Sequence, residues 1–82
     1  MSRQLERLLE IDRLIRSRER QTQVSLAQTL EVSERTIRND VNFLRDRYDA
    51  PLEYNRNQGW YYTDSNWRLP STPVTQGELF AL

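Results

Sequence analysis

Arginine and asparagine recur between residues 35 and 45 at intervals that set them on one side of a helix. The outward positions of that run are Glu34, Arg35, Arg38, Asn39, Asn42, Arg45 and Asp46. An arginine fork bonds the edge of guanine through two N–H groups, and an asparagine amide bonds adenine in the same bidentate way. Ser33 and Thr36 are short hydroxyl residues at the start of the run. They suit phosphate oxygens, which also attract the free N–H groups of a helix start. Arg35 and Arg38 fit guanine or phosphate, Asn39 and Asn42 fit adenine, and Arg45 is in reach of backbone. Asp40 is expected to pair with a neighbouring arginine or polar group, since phosphate would repel it.

Other chemistries find little support. The chain has no histidine and no cysteine, and only two glycines. It therefore lacks the commonest general base and metal ligand, any thiolate, and a phosphate-cradling glycine loop. Asp46, Asp49 and Glu53 flank a helix end, where solvated charge is the ordinary reading. No catalytic, cofactor-binding or metal site is expected, and no cofactor.

These side chains need a helix to carry them, and the pattern supplies one. Ile37, Val41, Leu44 and Tyr48 recur at four, three and four, an inward stripe. Ser33 is placed to cap that helix. Ahead of it Leu26, Ala27 and Leu30 share a face of a shorter helix. Ser25 is read as its N-cap and Gln28 as the capping-box partner. Glu31, Val32 and Ser33 break the two apart. The pair reads as a helix-turn-helix whose second helix enters a DNA major groove.

A first helix is expected from Ser2 to about Arg18. Leu5, Leu8, Leu9, Ile11, Leu14 and Ile15 give it a wide apolar stripe. Asp12–Arg16 and Glu10–Arg13 are helix-neighbour ion pairs. Arg16, Arg18 and Arg20 crowd its end, either as a solvated face or as contacts to DNA backbone. Residues 21–24 should form the loop into the motif, with Val24 in a very short extended segment. After Tyr48, Asp49, Ala50 and Pro51 stop the helix. Two β-type runs come next, Leu52–Tyr54 and Trp60–Thr63, around the turn-forming residues 55–59. This hairpin is a wing. Arg56 and Asn57 at its tip are placed to reach flanking phosphates or minor groove; the alternative is a hairpin that only covers the core. Leu52, Tyr54 and Tyr61 are expected to be buried. An arrangement with Trp60 inside and Tyr61 outside fits the pattern almost as well.

The expected fold is thus mainly α with a small β-hairpin: a winged helix-turn-helix of three helices plus wing. It occupies residues 1–63. Residues 64–74 read as a linker, and residues 75–82 as the start of a truncated helix leading to a missing C-terminal domain. Thr75 and Glu78 form its capping box.

The 82 residues carry twelve basic and twelve acidic side chains, so the net charge is zero. Every basic residue is arginine, which favours bidentate contacts to phosphate and guanine and equally fits a GC-rich genome. Zero net charge leaves DNA binding open, because the placement of charge decides it. No apolar run is long enough to span a bilayer, and no signal-peptide pattern opens the chain. The default is a soluble, cytoplasmic, nucleoid-associated protein.

The runs VSERTIRNDVNFL and PLEYNRNQGWYYT resemble the N-terminal winged helix-turn-helix of bacterial DeoR-like regulators, above all those with a C-terminal WYL domain. Leu26, Ala27, Leu30, Val32, Ser33, Arg35, Thr36, Ile37, Asp40, Val41 and Leu44 match the motif. Pro51, Leu52, Tyr54, Gly59 and the wing tyrosine Tyr61 match the hairpin pattern of that family. Asn39 departs from the usual arginine, Glu31 from the turn glycine of many such proteins, and Trp60 from a second wing glycine. The resemblance implies a transcriptional regulator, with repression the expected sign, whose C-terminal domain senses a ligand and helps dimerise. The expected partner is a double-stranded, palindromic DNA operator, bound by a homodimer. The competing class is a winged-helix module for protein interaction or dimerisation. RNA binding is disfavoured, since no stacking sheet with basic flanks is evident.

Overall fold

Leu8, Ile11 and Ile15 recur at three and four along the first helix and are buried. They meet Leu26 and Ala27 of the second helix and Ile37, Val41 and Leu44 of the third in one core. A computed structural model describes residues 3–70 of the chain. Its elements are α1 (Arg3–Arg16), α2 (Gln23–Leu30), α3 (Glu34–Tyr48), β1 (Leu52–Asn55) and β2 (Gly59–Tyr62). Three helices and a two-stranded antiparallel hairpin make the winged helix-turn-helix that the pattern predicts.

α1 ends two residues earlier than expected. The Ser17 hydroxyl and amide both donate to the Leu14 carbonyl, at 2.6 and 3.1 Å, and close the last turn. The anticipated pairs form on its surface: Arg16–Asp12 at 3.1 Å and Arg13–Glu10 at 2.8 Å.

The start of α2 corrects the expected cap. Thr22, not Ser25, is the N-cap, and Ser25 is its partner at N3. The Ser25 amide donates to Thr22 Oγ1 at 3.0 Å, and the Thr22 amide donates to Ser25 Oγ at 2.7 Å. Each satisfies a donor that the first turn leaves free. The deciding contact comes from outside the helix. Gln21 forms a parallel bridge with Gly59 of the wing, which holds the chain extended up to Thr22. The short extended segment is therefore Gln21, and Val24 lies inside the helix.

Glu31 then turns the chain in the left-handed region, at φ 58°. Few residues but glycine adopt this without cost, yet the amides of Glu31 and Val32 recover the Gln28 and Ala27 carbonyls. Ser33 caps α3 as expected, its hydroxyl accepting from the Thr36 amide at 3.1 Å. Ile37, Val41 and Leu44 are buried and Tyr48 half-buried, its ring edge-on to Phe43.

One charged side chain joins that inner face. Asp40 is buried, and Arg7 of α1 bonds both its oxygens, at 2.7 and 3.2 Å. Gln4 Nε2 approaches the same carboxylate at 3.5 Å. The bond to Asp40 pushes the Arg7 pKa further up, so the cation persists at any working pH. The pair Asp40 was expected to make is thus with the first helix.

The hairpin register pairs Leu52 with Tyr62 and Tyr54 with Trp60. Leu52, Tyr54, Trp60 and Tyr62 therefore share one face, and Glu53 and Tyr61 the other. This is the second of the two arrangements that the pattern allows. Leu52 is buried, while Trp60 and Tyr62 pack against the core. Tyr54, expected inside, is 46% exposed, and Tyr61 lies on the outer face. Only Leu52 sits over the centre of the core; Tyr54 is nearer the tip and extends past its edge, against Trp60.

The stretch after the hairpin lies back on the domain. Leu69 is buried in the core, and Trp67 donates its indole N–H to the Tyr48 carbonyl at 3.2 Å. Arg16 donates to the carbonyls of Ser65 and Trp67 and stacks over the Tyr62 ring. Burial and the bond to Asp12 push the Tyr62 pKa up, so its hydroxyl stays a donor. The helix expected over residues 75–82 lies outside the described residues.

Two substitutions test these contacts. Arg7→Met leaves the Asp40 carboxylate buried without its cation and is expected to cost about 3–5 kcal/mol in urea unfolding. Adding Asp40→Leu should restore most of the loss, since an apolar pair replaces the ionic one. A single variant as stable as the parent would discount the pair. Gly59 has φ +77°, and an added Cβ would lie 2.1 Å from the Gln21 carbonyl oxygen. Gly59→Ala should therefore cost more than the roughly 1–3 kcal/mol of backbone strain alone, read in the same assay.

Candidate nucleic-acid interface

With Asp40, Ile37, Val41 and Leu44 turned inward, the opposite side of α3 is fixed by helix geometry. Arg35, Arg38, Asn39 and Asn42 are all exposed. They stand at i, i+3, i+4 and i+7 and so form one stripe along the N-terminal half of the helix. None has a hydrogen-bond or ion-pair partner among the described residues. Four side chains rich in donors are thus presented to solvent on a rigid element.

The carboxylates divide around this stripe. Asp40 is inside, and Glu10 is paired on α1. Glu34 lies at the stripe's edge, where the Gln23 amide approaches it at 3.4 Å. Asp46 is exposed further along the helix. Along α3 arginines thus outnumber the exposed acids: Arg35 and Arg38 stand with Glu34 in the first half, Arg45 and Arg47 with Asp46 in the second.

Ser33 and Thr36 stand at the start of α3, their hydroxyls 3.0 Å apart. Thr36 is half-buried and Ser33 exposed. Arg45 has a different setting. Its Nε and Nη2 donate to the Leu52 carbonyl at 3.1 and 2.9 Å, and its guanidinium lies 5.6 Å from the Trp60 ring centre. Glu53 is 3.8 Å away. Arg45 thus ties α3 to the root of the wing.

The wing tip carries Arg56 and Asn57, both exposed. Asn55 shapes the tip: its Oδ1 accepts from the Asn57 amide at 2.7 Å and from the Gln58 amide at 3.3 Å. A cleft between wing and α2 is lined by Thr22, Gln23, Val24, Tyr54 and Trp60. Gln23 in turn reaches Glu34 on α3. The wing, the start of α2 and the start of α3 are therefore one continuous surface. Val24 and Tyr54, each 46% exposed, are apolar islands within it.

Sequence reasoning identifies the α3 stripe and the tip but misses this connecting strip. Nothing in the local pattern marks Gln23, Val24 or Tyr54, because their placement depends on the pairing of Gln21 with Gly59, far apart in the chain. The pattern leaves Arg20 open between solvent and DNA backbone; in the fold it lies beside the tip.

The sequence matches a family model described as an HTH domain over residues 5–61. The chain belongs to this helix-turn-helix family. The family consists of DNA-binding domains rather than enzymes, so DNA is the partner its membership implies. The matched residues run from α1 to β2 and include the whole α3 stripe and the wing. A search of curated proteins finds no match. Among the described residues no group of three or more acidic, histidine or cysteine side chains could hold a metal ion, and no helix is long and apolar enough to cross a membrane.

The Arg45 contact makes a prediction about stability. Arg45→Ala removes charge-assisted bonds to the wing root and should lower the unfolding free energy by about 1.5–3 kcal/mol. Urea unfolding measures this, and an unchanged midpoint and slope would show that the contact holds nothing.

Proposed function

We propose that the domain binds double-stranded DNA in a sequence-specific way, with α3 in the major groove and the wing against the flanking backbone or minor groove. The observation that carries this is the unpartnered stripe of Arg35, Arg38, Asn39 and Asn42, beside a wing tied to the same helix. Arg35 and Arg38 take guanine or phosphate, and Asn39 and Asn42 take adenine edges. Ser33 and Thr36 offer hydroxyls to phosphate next to the helix N–H groups. Arg56 and Asn57 touch the backbone or minor groove beyond the site. Arg45 holds the wing in register through Nε and Nη2 and keeps Nη1 for the DNA backbone.

The resemblance to DeoR-like regulators with a WYL domain extends the reading. In it the protein is a bacterial transcriptional regulator, with repression the expected sign. Two copies bind a palindromic operator, with half-sites one helical turn or a multiple of it apart. Asn39, standing where relatives carry arginine, shifts the preferred base at that position from guanine towards adenine.

A duplex selected from a randomised library by the full chain tests the reading. Arg38→Ala should weaken binding to that duplex by about 1–3 kcal/mol and relax the preference at one base pair. Wild-type affinity should fall steeply with salt, by about 0.9 in log–log slope for each phosphate neutralised. Association that ignores salt would favour a protein partner over DNA. An Arg38→Ala variant with wild-type affinity and preference would remove that residue from base reading.

A further inference from the structure

The tip of the wing is not a lone projection. Arg20, from the loop between α1 and α2, donates from Nε and Nη2 to the Arg56 carbonyl at 3.1 and 2.8 Å. Its Nη2 also comes within 3.5 Å of the Tyr54 hydroxyl. These contacts fix the guanidinium plane and leave Nη1 without a partner among the described residues. Arg20, Tyr54, Asn55, Arg56 and Asn57 together line an open depression of about 680 Å³. No carboxylate lines it. Neither Arg20 nor Arg56 has an ion-pair partner among the described residues. Two arginines, one of them oriented in advance, thus share a polar hollow with amide and hydroxyl groups around it.

The hollow adjoins the cleft between the wing and α2. Tyr54 lines both this depression and the cleft that runs past Gln23 to the start of α3. A duplex seated on the α3 stripe would continue past Tyr54 towards Arg20 and Arg56.

We propose that Arg20 and Arg56 form a phosphate grip on the DNA backbone, with Arg20 contributing from outside the helix-turn-helix and the wing strands. The inference rests on the DNA-binding reading above and adds to it a residue and a role. Phosphate is the ligand that the chemistry selects: two positive charges, no carboxylate, an open mouth, and no groove-shaped apolar wall. Arg20 has a second task in the same place, because its bonds to the Arg56 carbonyl set the position of the tip.

Phosphate contacts carry no sequence information, and this separates the grip from base reading. The full chain is titrated with its library-selected duplex and with a scrambled duplex of equal length, each over a salt series. Arg20→Ala should weaken both complexes by the same factor, whereas Arg38→Ala should weaken the selected one more. The log–log salt slope for Arg20→Ala should be shallower by about 0.9. Arg20→Lys keeps the charge and should keep the wild-type slope. Arg56→Ala, at an exposed tip where folding is not at stake, should repeat the sequence-independent loss and the shallower slope. Equal slopes for wild type and Arg20→Ala would overturn the proposal, whether or not affinity falls, since a purely structural latch releases no counterions. A wild-type chain that binds neither duplex would take the functional reading down with it. Normal wild-type binding with both alanine variants unchanged would sink the grip alone.

Discussion

A buried carboxylate decides which way the third helix faces. Asp40 lies in the apolar stripe between Ile37 and Leu44, and its charge is tolerable there only because Arg7 bonds both oxygens. Such a pair adds little net stability compared with an apolar one, because both ions lose water. What it adds is direction. A helix with only Ile37, Val41 and Leu44 inside can roll by a fraction of a turn and still bury them. A helix whose Asp40 must meet a guanidinium on α1 has far less freedom. Arg35, Arg38, Asn39 and Asn42 inherit that fixed orientation on the opposite side. The accuracy of any base contact is then traceable to a bond on the far side of the helix.

The wing is positioned by a different device, built on backbone approach. Gly59 comes so near Gln21 that no Cβ fits between them. The Trp60 amide donates to the Gln21 carbonyl at 2.9 Å. Gln21 precedes the cap of α2, so the same residue sets where α2 begins and where β2 lies. Arg45 adds a second tie, from α3 to the Leu52 carbonyl. Two-stranded hairpins are marginal on their own. Here the hairpin is held at both ends by elements of the motif.

Much of this is legible in the chain because it depends on local rules. The Ser33 cap, the stripe of Ile37, Val41 and Leu44, the hairpin after Pro51 and the outward arginines all come from periodicity and capping. The misreadings share one cause. Ser25 and Thr22 both satisfy a capping pattern three residues long, and only the Gln21–Gly59 bridge selects between them. Placing Tyr54 and Tyr61 inward is a choice between two faces, and only the register and the edge of the core select the face and the depth. The segment after Thr63 has the composition of a linker, yet Trp67 and Leu69 find places against Tyr48 and the core. Each of these depends on residues far along the chain, which no local window contains.

The zero net charge then ceases to count against a polyanionic partner. Some of the opposite charges in this chain are drawn together away from the exposed side of α3. Asp40, Glu10 and Asp12 are satisfied by Arg7, Arg13 and Arg16, all on the α1 side of the fold. Those pairs use three arginines in support of the fold, and a fourth, Arg45, holds the wing. Of the other eight arginines, none with a carboxylate partner among the described residues, Arg35, Arg38 and Arg47 lie on α3 and Arg20 and Arg56 at the wing tip. Fields at a surface are set by nearby charges, because salt screens those more than about 8–10 Å away. A duplex approaching this face meets the local excess of cations, not the chain's average. The local excess arises because Asp40, Glu10 and Asp12 are taken up by arginines of α1, which leaves Glu34 and Asp46 as the exposed acids of α3.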